Sequence, residues 1–194
     1  MASPWTDPVA ITEAELDDLE RAWLSLGELD HKAELIDGAI IVSPSASVHH
    51  SGVVDRLMDQ LWELKRRRGW VFHGNLTCHI QATRERLIPD LMVAPEDAPR
   101  FAHNELLASG VLLTVEVTSA STRRRDRISK TRAYAQGCVP LYLLIDDLAK
   151  PATITLFSGP EEQAYARTVT IEAGQPLRLP EPFDLDLDTK VLFG

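Results

Sequence analysis

The apolar positions before residue 70 recur first at helical spacing, then in short runs, and then at helical spacing again. Thr12 and Glu15 form a capping-box pair at the start of the first helical pattern. Asp37-Gly38 separates two short apolar runs and is typical of a tight hairpin turn. The predicted elements are a helix over 12–26 ended by Gly27, a hairpin of strands 33–36 and 39–42, and a helix from Ser47 to Gly69 whose apolar face is Val53, Val54, Leu57, Leu61 and Leu64.

Beyond residue 70 the pattern consists of short apolar runs that predict strands. The continuous β-branched run 111–118 predicts a buried strand. The basic segment 124–136 predicts a helix between this strand and the apolar strand 139–146, so the sheet is expected to be at least partly parallel. The other expected elements are strands at 70–73, 76–82 and 87–94, a turn at 83–86, a loop or short helix at 95–110, and an antiparallel pair at 153–157 and 164–171.

Composition is that of an ordinary globular protein, with 44% hydrophobic and 25% charged residues. A chain of 194 residues favours one mixed α/β domain over 1–194. No apolar run approaches the roughly 18 residues that span a bilayer, and residues 1–5 lack the pattern of a signal peptide. Cys78 and Cys138 form no CxxC pair or zinc spacing and are interpreted as reduced thiols. We therefore expect a cytoplasmic protein that does not bind membranes.

Basic residues cluster at two places in a chain whose net charge is −9. The negative total disfavours nucleic acid as a partner, because phosphate binding draws on a basic surface. The cluster at 65–68 fits a solvated helix C-terminus, where cations face the macrodipole. The second cluster, Arg123, Arg124, Arg125 and Arg127, directly follows a predicted buried strand and is a candidate contact for a DNA backbone.

Two apolar runs each carry one carboxylate. Asp90 lies within 87–93, and Glu116 lies within 111–118. A charge in a hydrophobic run is costly unless it is paired or binds a metal. If the two runs are neighbouring strands, both carboxylates approach one point, where Mg²⁺ accepts oxygen ligands and the carbonyl of Val117 could add a third. Such an ion would activate water against a phosphodiester.

A series of polar motifs connects these carboxylates with the rest of the chain. Its members are Glu34-Leu35-Ile36-Asp37-Gly38, Ser43-Pro44-Ser45, His50, Pro89-Asp90, the run from Val115 to Thr122, Arg125-Asp126, Lys130, Tyr134, Val139-Pro140, Tyr142 and Asp146. Within it, Pro89-Asp90 and Glu116-Val117-Thr118 resemble the PD-(D/E)XK motif of restriction-endonuclease-like nucleases. The whole series, over residues 12–158, resembles the bacterial Uma-type endonuclease family. This resemblance implies a restriction-endonuclease-like, four-stranded mixed sheet flanked by helices, preceded by the helix and hairpin and followed by the antiparallel strands.

The same resemblance implies roles for individual residues. Asp90 and Glu116 would bind Mg²⁺ or Mn²⁺ with the Val117 carbonyl, and Glu34 would be a third carboxylate near the metal. The superfamily's lysine is replaced here by Thr118, which carries no charge. Lys130 on the following helix is the candidate for the missing lysine, because its long stem could reach the site.

For several of these residues the sequence leaves a structural role open. Asp90 after Pro89 could cap a turn, and Glu34 could be an exposed strand residue. His50, near a helix start, is more typical of packing or capping than of a general base. Lys130 could be a surface lysine.

Three other residues have open roles around Lys130 and the strand that follows it. Asp126 and Tyr134 lie four residues before and after Lys130, so they share its helix face and could hold it, or Asp126 could simply pair with it. Asp146 ends an apolar strand and is interpreted as structural.

The leading functional hypothesis is a Mg²⁺- or Mn²⁺-dependent endodeoxyribonuclease with Asp90, Glu116, Glu34 and Lys130 as catalytic residues. The negative net charge and Thr118 favour an alternative, an inactive nuclease-fold module that binds nucleic acid or a protein. A hydrolase of another phosphate ester is a third possibility. By resemblance to nucleases that cut two strands, a homodimer is expected.

Overall fold

Two six-stranded β-sheets form the centre of the fold in the computed structural model, which describes residues 12–26 and 32–193. The first sheet consists of β1 (Lys32–Ile36), β2 (Ala39–Ser43), β4 (Thr77–Ile80), β5 (Glu85–Leu87), β7 (Arg100–Ala102) and β8 (Glu105–Leu107), in the order β2-β1-β5-β4-β8-β7. The second consists of β3 (Trp70–His73), β6 (Leu91–Pro95), β9 (Leu113–Val117), β10 (Leu141–Asp146), β11 (Thr153–Pro160) and β12 (Tyr165–Glu172), in the order β12-β11-β10-β9-β6-β3. The predicted parallel pairing of β9 with β10 and antiparallel pairing of β11 with β12 are both confirmed.

The predicted helices are present, with an irregularity in the third. They are α1 (Glu13–Ser25), α2 (Val48–Arg68), and a continuous helical segment made of α3 (Arg123–Arg125), a π-helical turn (Asp126–Lys130) and α4 (Thr131–Gln136). Thr12 and Glu15 form the predicted capping box, and Ser47 caps α2. Gly69 ends α2 in the left-handed conformation at φ 67°, as a C-terminal glycine commonly does. Gly27, the predicted end of the first helix, lies outside the described residues.

The second sheet separates two hydrophobic cores, because alternate residues of its strands point to opposite faces. On one face, Val115 and Val117 of β9 pack in the core that includes the apolar side of α2. On the other face, Tyr142 and Leu144 of β10 pack in the core shared with α4 and the first sheet. Glu116 therefore points away from α2, into the space between the two sheets.

The predicted strand at 87–94 is interrupted, and the interruption carries the chain between sheets. β5 belongs to the first sheet and β6 to the second, and residues 88–90 connect them. Pro89 has no N–H to extend a ladder, whereas the N–H of Asp90 donates to the Val115 carbonyl at 3.0 Å. Asp90 thus lies at the crossover and not within a strand.

Three further segments differ from the sequence-based predictions. Glu85 and Arg86, expected in a turn, lie buried in β5, where Arg132 pairs with Glu85 and Glu105 with Arg86. Residues 95–110 form β7, β8 and a 3₁₀ turn instead of a loop or short helix. The C-terminal hairpin of β13 (Leu177–Leu179) and β14 (Leu185–Leu187), followed by a 3₁₀ turn (Val191–Phe193), was not predicted. Within the described ranges, no helix is both long and apolar enough to cross a membrane.

Candidate active site

Four carboxylates and two lysines meet where the crossover passes between the sheets. Glu34 comes from β1, Glu116 from β9, and Asp90 from the connection before β6. Asp126 and Lys130 begin and end the π-helical turn. Lys32 precedes Glu34 by two residues in β1, so both side chains lie on the same face of that strand. The topology therefore brings together residues that are far apart in the sequence.

Lys130 is enclosed by three carboxylates. Its Nζ lies 2.7 Å from Oε1 of Glu116, 2.9 Å from Oε1 of Glu34 and 3.7 Å from Oδ1 of Asp126. Its side chain is only 1% exposed, and those of Glu34 and Glu116 are 1% and 2% exposed. Tyr134 also donates its hydroxyl to Oε1 of Glu116 at 2.7 Å. Lys130 is thus a buried counter-ion, which rules out the alternative of a surface lysine.

The two glutamates beside Lys130 have pKa values shifted in opposite directions. Burial raises the pKa of Glu116, and the attraction of Lys130 and Lys32 only partly offsets this increase. The resulting pKa is about 7. Burial also raises the pKa of Glu34, but Lys130, Lys32 and the Ile88 N–H, which donates at 2.9 Å, outweigh that effect and the net shift is downward. For Lys130, burial lowers the pKa, but the three surrounding carboxylates raise it overall. Lys130 stays charged, and Glu116 can take up a proton near neutrality.

Asp90 is held from three sides. Its Oδ2 accepts the N–H of Val117 at 2.8 Å and lies 2.9 Å from Nε2 of His50. Its Oδ1 accepts a hydrogen bond from Lys32 at 3.2 Å. Burial raises the pKa of Asp90, but His50, Lys32 and the Val117 N–H together hold it well below its usual range. The Asp90 carboxylate in turn raises the pKa of His50. Asp90 is therefore an ionised carboxylate with a fixed orientation, and His50 is placed beside it.

Lys32 is the site residue that the sequence analysis missed. Its Nζ lies 3.2 Å from Oδ1 of Asp90 and 3.6 Å from Oε2 of Glu116, so it stands between the two predicted metal ligands. Burial lowers its pKa, but Glu116 and Asp90 raise it overall. The available signal was its spacing from Glu34, because i and i+2 in a strand share a face. The predicted strand began at residue 33 and so excluded it.

The π-helical turn arranges the residues that share the helix with Lys130. The Asp126 carbonyl, at the start of this turn, accepts the hydroxyl of Tyr142 at 2.9 Å and that of Thr131 at 3.2 Å. The Asp126 carboxylate is 1% exposed, and burial raises its pKa despite the opposing effects of Lys130 and the Thr122 side chain. Tyr134 lies four residues after Lys130, but its hydroxyl donates to Glu116 and not to Lys130. Of the two predicted helix partners, only Asp126 pairs with Lys130.

A pair of arginines lies beyond the ends of β9 and β10. Asp146, which is 1% exposed, accepts from Arg123 at 2.7 Å, from Arg127 at 2.5 Å and from the hydroxyl of Thr118 at 3.1 Å. The side chains of Arg123 and Arg127 are 46% and 37% exposed, so each is partly open to solvent. Asp146 thus fixes the orientation of this arginine pair. Arg124 is exposed and Arg125 partly buried in the same segment.

The chemistry of the donor set fits a divalent cation at Asp90 and Glu116. One oxygen of each carboxylate already faces a single cation, the Lys32 ammonium. Mg²⁺ is commonly bound by one or two carboxylates, with water and substrate phosphate completing its shell. Among the described residues, no three His, Cys, Asp or Glu side chains gather as a ready-made metal cage. A cation held by this pair would take its remaining ligands from water or substrate.

A family model matches most of the chain. Residues 15–191 match the family Uma2, described as "Putative restriction endonuclease". The chain belongs to the Uma2 family. Uma2 membership confirms the resemblance inferred from the motif series, including Pro89-Asp90 and Glu116-Val117-Thr118.

A solved structure shows the same fold. It is described as a "putative nuclease belonging to DUF820" from Anabaena variabilis, and it is 21% identical in sequence to this Uma2 chain. The match covers 88% of this chain and 94% of the other, with a TM-score of 0.67. The restriction-endonuclease-like α/β fold predicted from the sequence is thereby confirmed, but the expected four-stranded sheet is wrong, because the strands form two six-stranded sheets. Among curated proteins, no sequence matches the chain.

Proposed function

We propose that this Uma2-family chain is a Mg²⁺- or Mn²⁺-dependent endonuclease that hydrolyses DNA phosphodiester bonds. The observation that carries the proposal is the convergence of Asp90 Oδ1 and Glu116 Oε2 on one cationic group between the sheets. A binding module has no need of buried carboxylates beside an intended phosphate, because each of them repels it.

Asp90 and Glu116 would hold the cation, and the Val117 carbonyl would be its third protein ligand. When bound, the cation lowers the pKa of a coordinated water and offsets charge on the phosphate. The Val117 N–H and His50 keep Asp90 oriented, so the protein contributes a preformed ligand.

Lys130 and Glu34 support the second ligand. Lys130 bridges the two glutamates and keeps Oε1 of Glu116 occupied, which leaves Oε2 as the oxygen directed at the cation position. Its positive charge would also offset negative charge that develops during hydrolysis. Thr118 stands where the motif has a lysine and carries no charge. Lys130, on the helical segment, would supply that charge instead.

DNA would approach over the arginine pair. Arg123 and Arg127 are preoriented by Asp146 and partly exposed. Arginine contacts to phosphates fix the position of a duplex without reading its sequence. These local charges would attract DNA although the whole chain carries a charge of −9. We further propose a cytoplasmic homodimer, because two copies allow both strands to be cut.

The alternative is an inactive nuclease-fold module that binds nucleic acid or a protein. The observation that favours it is Lys32, whose ammonium already fills the space between Asp90 and Glu116. A module of this kind would keep its ion pairs for stability and would hydrolyse nothing.

Nicking of supercoiled plasmid separates the two functions. Wild-type protein is compared with Asp90→Asn, and with Asp59→Asn as a matched control on the exposed side of α2. The proposal predicts nicking in Mg²⁺ or Mn²⁺ by wild type and Asp59→Asn, and none by Asp90→Asn or in EDTA. Equal nicking by Asp90→Asn, or no nicking by folded wild type with either ion, would contradict it.

A further inference from the structure

The two lysines of the site are held in different ways. Lys130 is 1% exposed and lies within 3.0 Å of two carboxylate oxygens, at 2.7 and 2.9 Å. Lys32 is 20% exposed, makes one hydrogen bond at 3.2 Å, and its second carboxylate contact is a longer one at 3.6 Å. Lys130 is therefore fully enclosed by close contacts, whereas Lys32 has longer carboxylate contacts and is partly exposed.

Lys32 occupies the position that a divalent cation would need. Its Nζ faces Oδ1 of Asp90 and Oε2 of Glu116, which are the oxygens left after Val117 and Lys130 have taken the others. Mg²⁺ binds oxygen at about 2.0–2.1 Å, so an ammonium and the ion cannot share that space. A four-carbon stem at a partly exposed position can swing its charge into water.

The balance of charges in the site explains why an ammonium group lies between Asp90 and Glu116. Glu34, Asp90, Glu116 and Asp126 are four carboxylates against the ammonium groups of Lys32 and Lys130, an excess of two negative charges when all are ionised. A protonated His50 would offset one more. Without Lys32, Asp90 and Glu116 would face each other across the gap with no cation, which is unfavourable in a buried site.

We propose that Lys32 is a displaceable counter-ion of the cation site. Its ammonium holds Asp90 and Glu116 together in the cation-free protein and leaves when a divalent cation binds. It thereby sets the cation concentration at which the site fills. This inference rests on the proposed function, because it takes the Asp90–Glu116 pair to be the cation site.

The test is Mn²⁺ binding followed by the decrease in the electron paramagnetic resonance signal of the free ion. Wild type is compared with Lys32→Met, which keeps most of the length of the side chain and removes its charge, and with Lys32→Arg, which keeps the charge. Lys190→Met removes an exposed lysine after β14 and is the matched control. Lys32→Met is expected to bind Mn²⁺ about tenfold more tightly or better, because a competing charge is gone, while Lys32→Arg and Lys190→Met stay near wild type.

A second readout is thermal unfolding in EDTA and in Mn²⁺. The melting temperature of Lys32→Met in EDTA is expected to be lower than that of wild type. Mn²⁺ is expected to raise the melting temperature of Lys32→Met by more than it raises that of wild type. If Lys32→Met does not fold without metal, Lys32→Gln, whose amide can still donate to Asp90, takes its place in both measurements.

The outcomes separate this inference from the proposed function. Tighter Mn²⁺ binding by the neutral variant, Lys32→Met or Lys32→Gln, supports the counter-ion role of Lys32. Binding of Mn²⁺ by that variant alone supports it as well. Equal or weaker binding by the neutral variant, with wild type binding well, overturns the counter-ion role and leaves the proposed function standing. Binding by neither protein overturns both.

Discussion

The Lys130 ammonium lies 2.7 Å from Oε1 of Glu116, and both side chains are almost completely enclosed. One residue comes from a central strand and the other from the end of a π-helical turn, so this pair joins the second sheet to the helical segment. Breaking a buried pair by removing one partner is far more costly than the net value of the pair, because the other charge is left uncompensated.

Lys130→Met is therefore expected to lower the free energy of unfolding by about 3–5 kcal/mol at pH 7.5. Glu34, Glu116 and Asp126 would all lose their nearest cation. Urea denaturation in EDTA measures the decrease, with Lys190→Met as a control. Adding Glu34→Gln to Lys130→Met should recover part of it, because one uncompensated carboxylate is removed. A decrease below about 1 kcal/mol for Lys130→Met would contradict the buried ion-pair account.

Affinity for Mn²⁺ is expected to rise with pH up to about 7 and then to level off. Burial raises the pKa of Glu116 to about 7, so below that value a proton must leave before this carboxylate can act as a ligand. The raised pKa of His50 acts in the same direction, because the charge of its protonated ring beside Asp90 repels a bound cation. Calorimetric titrations between pH 5.5 and 8.5 measure the effect. An affinity that is flat or falls over this range would contradict it.

The pH dependence of stability without metal should run the opposite way. Because the pKa of Glu116 in the folded protein is above its ordinary value, the folded state binds more protons than the unfolded state between about pH 4.5 and 7. This contribution to stability is fully present below the ordinary pKa and is lost as the pH rises through about 7. Urea denaturation in EDTA across this window should show the decline, and Glu116→Gln should reduce it. An unchanged slope in Glu116→Gln would assign the decline to another group.

Arg127→Ala is expected to weaken DNA binding without changing the fold. If Arg127 binds one phosphate, its removal should reduce the slope of log affinity against log salt by about 0.9. Fluorescence anisotropy in EDTA with a labelled duplex, from low to moderate salt, measures this slope. Arg178→Ala, on the β13–β14 hairpin, is the matched control because it also removes a half-exposed, ion-paired arginine. The same slope for Arg127→Ala and wild type would mean that this arginine binds no phosphate.

The convergence of Asp90 and Glu116 could be predicted because each carboxylate interrupts an apolar run. Such an interruption is visible without knowing the fold. The assignment of Lys130 depended on family resemblance, because a basic helix on its own is typical of a surface.

Other site features depended on contacts between distant segments. Arg86 and Glu85 were predicted in a turn, since their buried partners lie on other elements. Lys32 enters the site because β1 pairs with β5, which brings the start of β1 near the crossover at Asp90. The π-helical turn was expected to be ordinary α-helix, because its sequence contains nothing that interrupts the helical pattern.

The central claim is that Asp90 and Glu116 together bind the divalent cation on which hydrolysis depends. Calorimetric titration of Mn²⁺ into wild type, Asp90→Asn and the control Asp59→Asn tests it most directly. The account predicts one site per chain in wild type and in Asp59→Asn, and no measurable binding by folded Asp90→Asn. Undiminished Mn²⁺ binding by Asp90→Asn would contradict the claim.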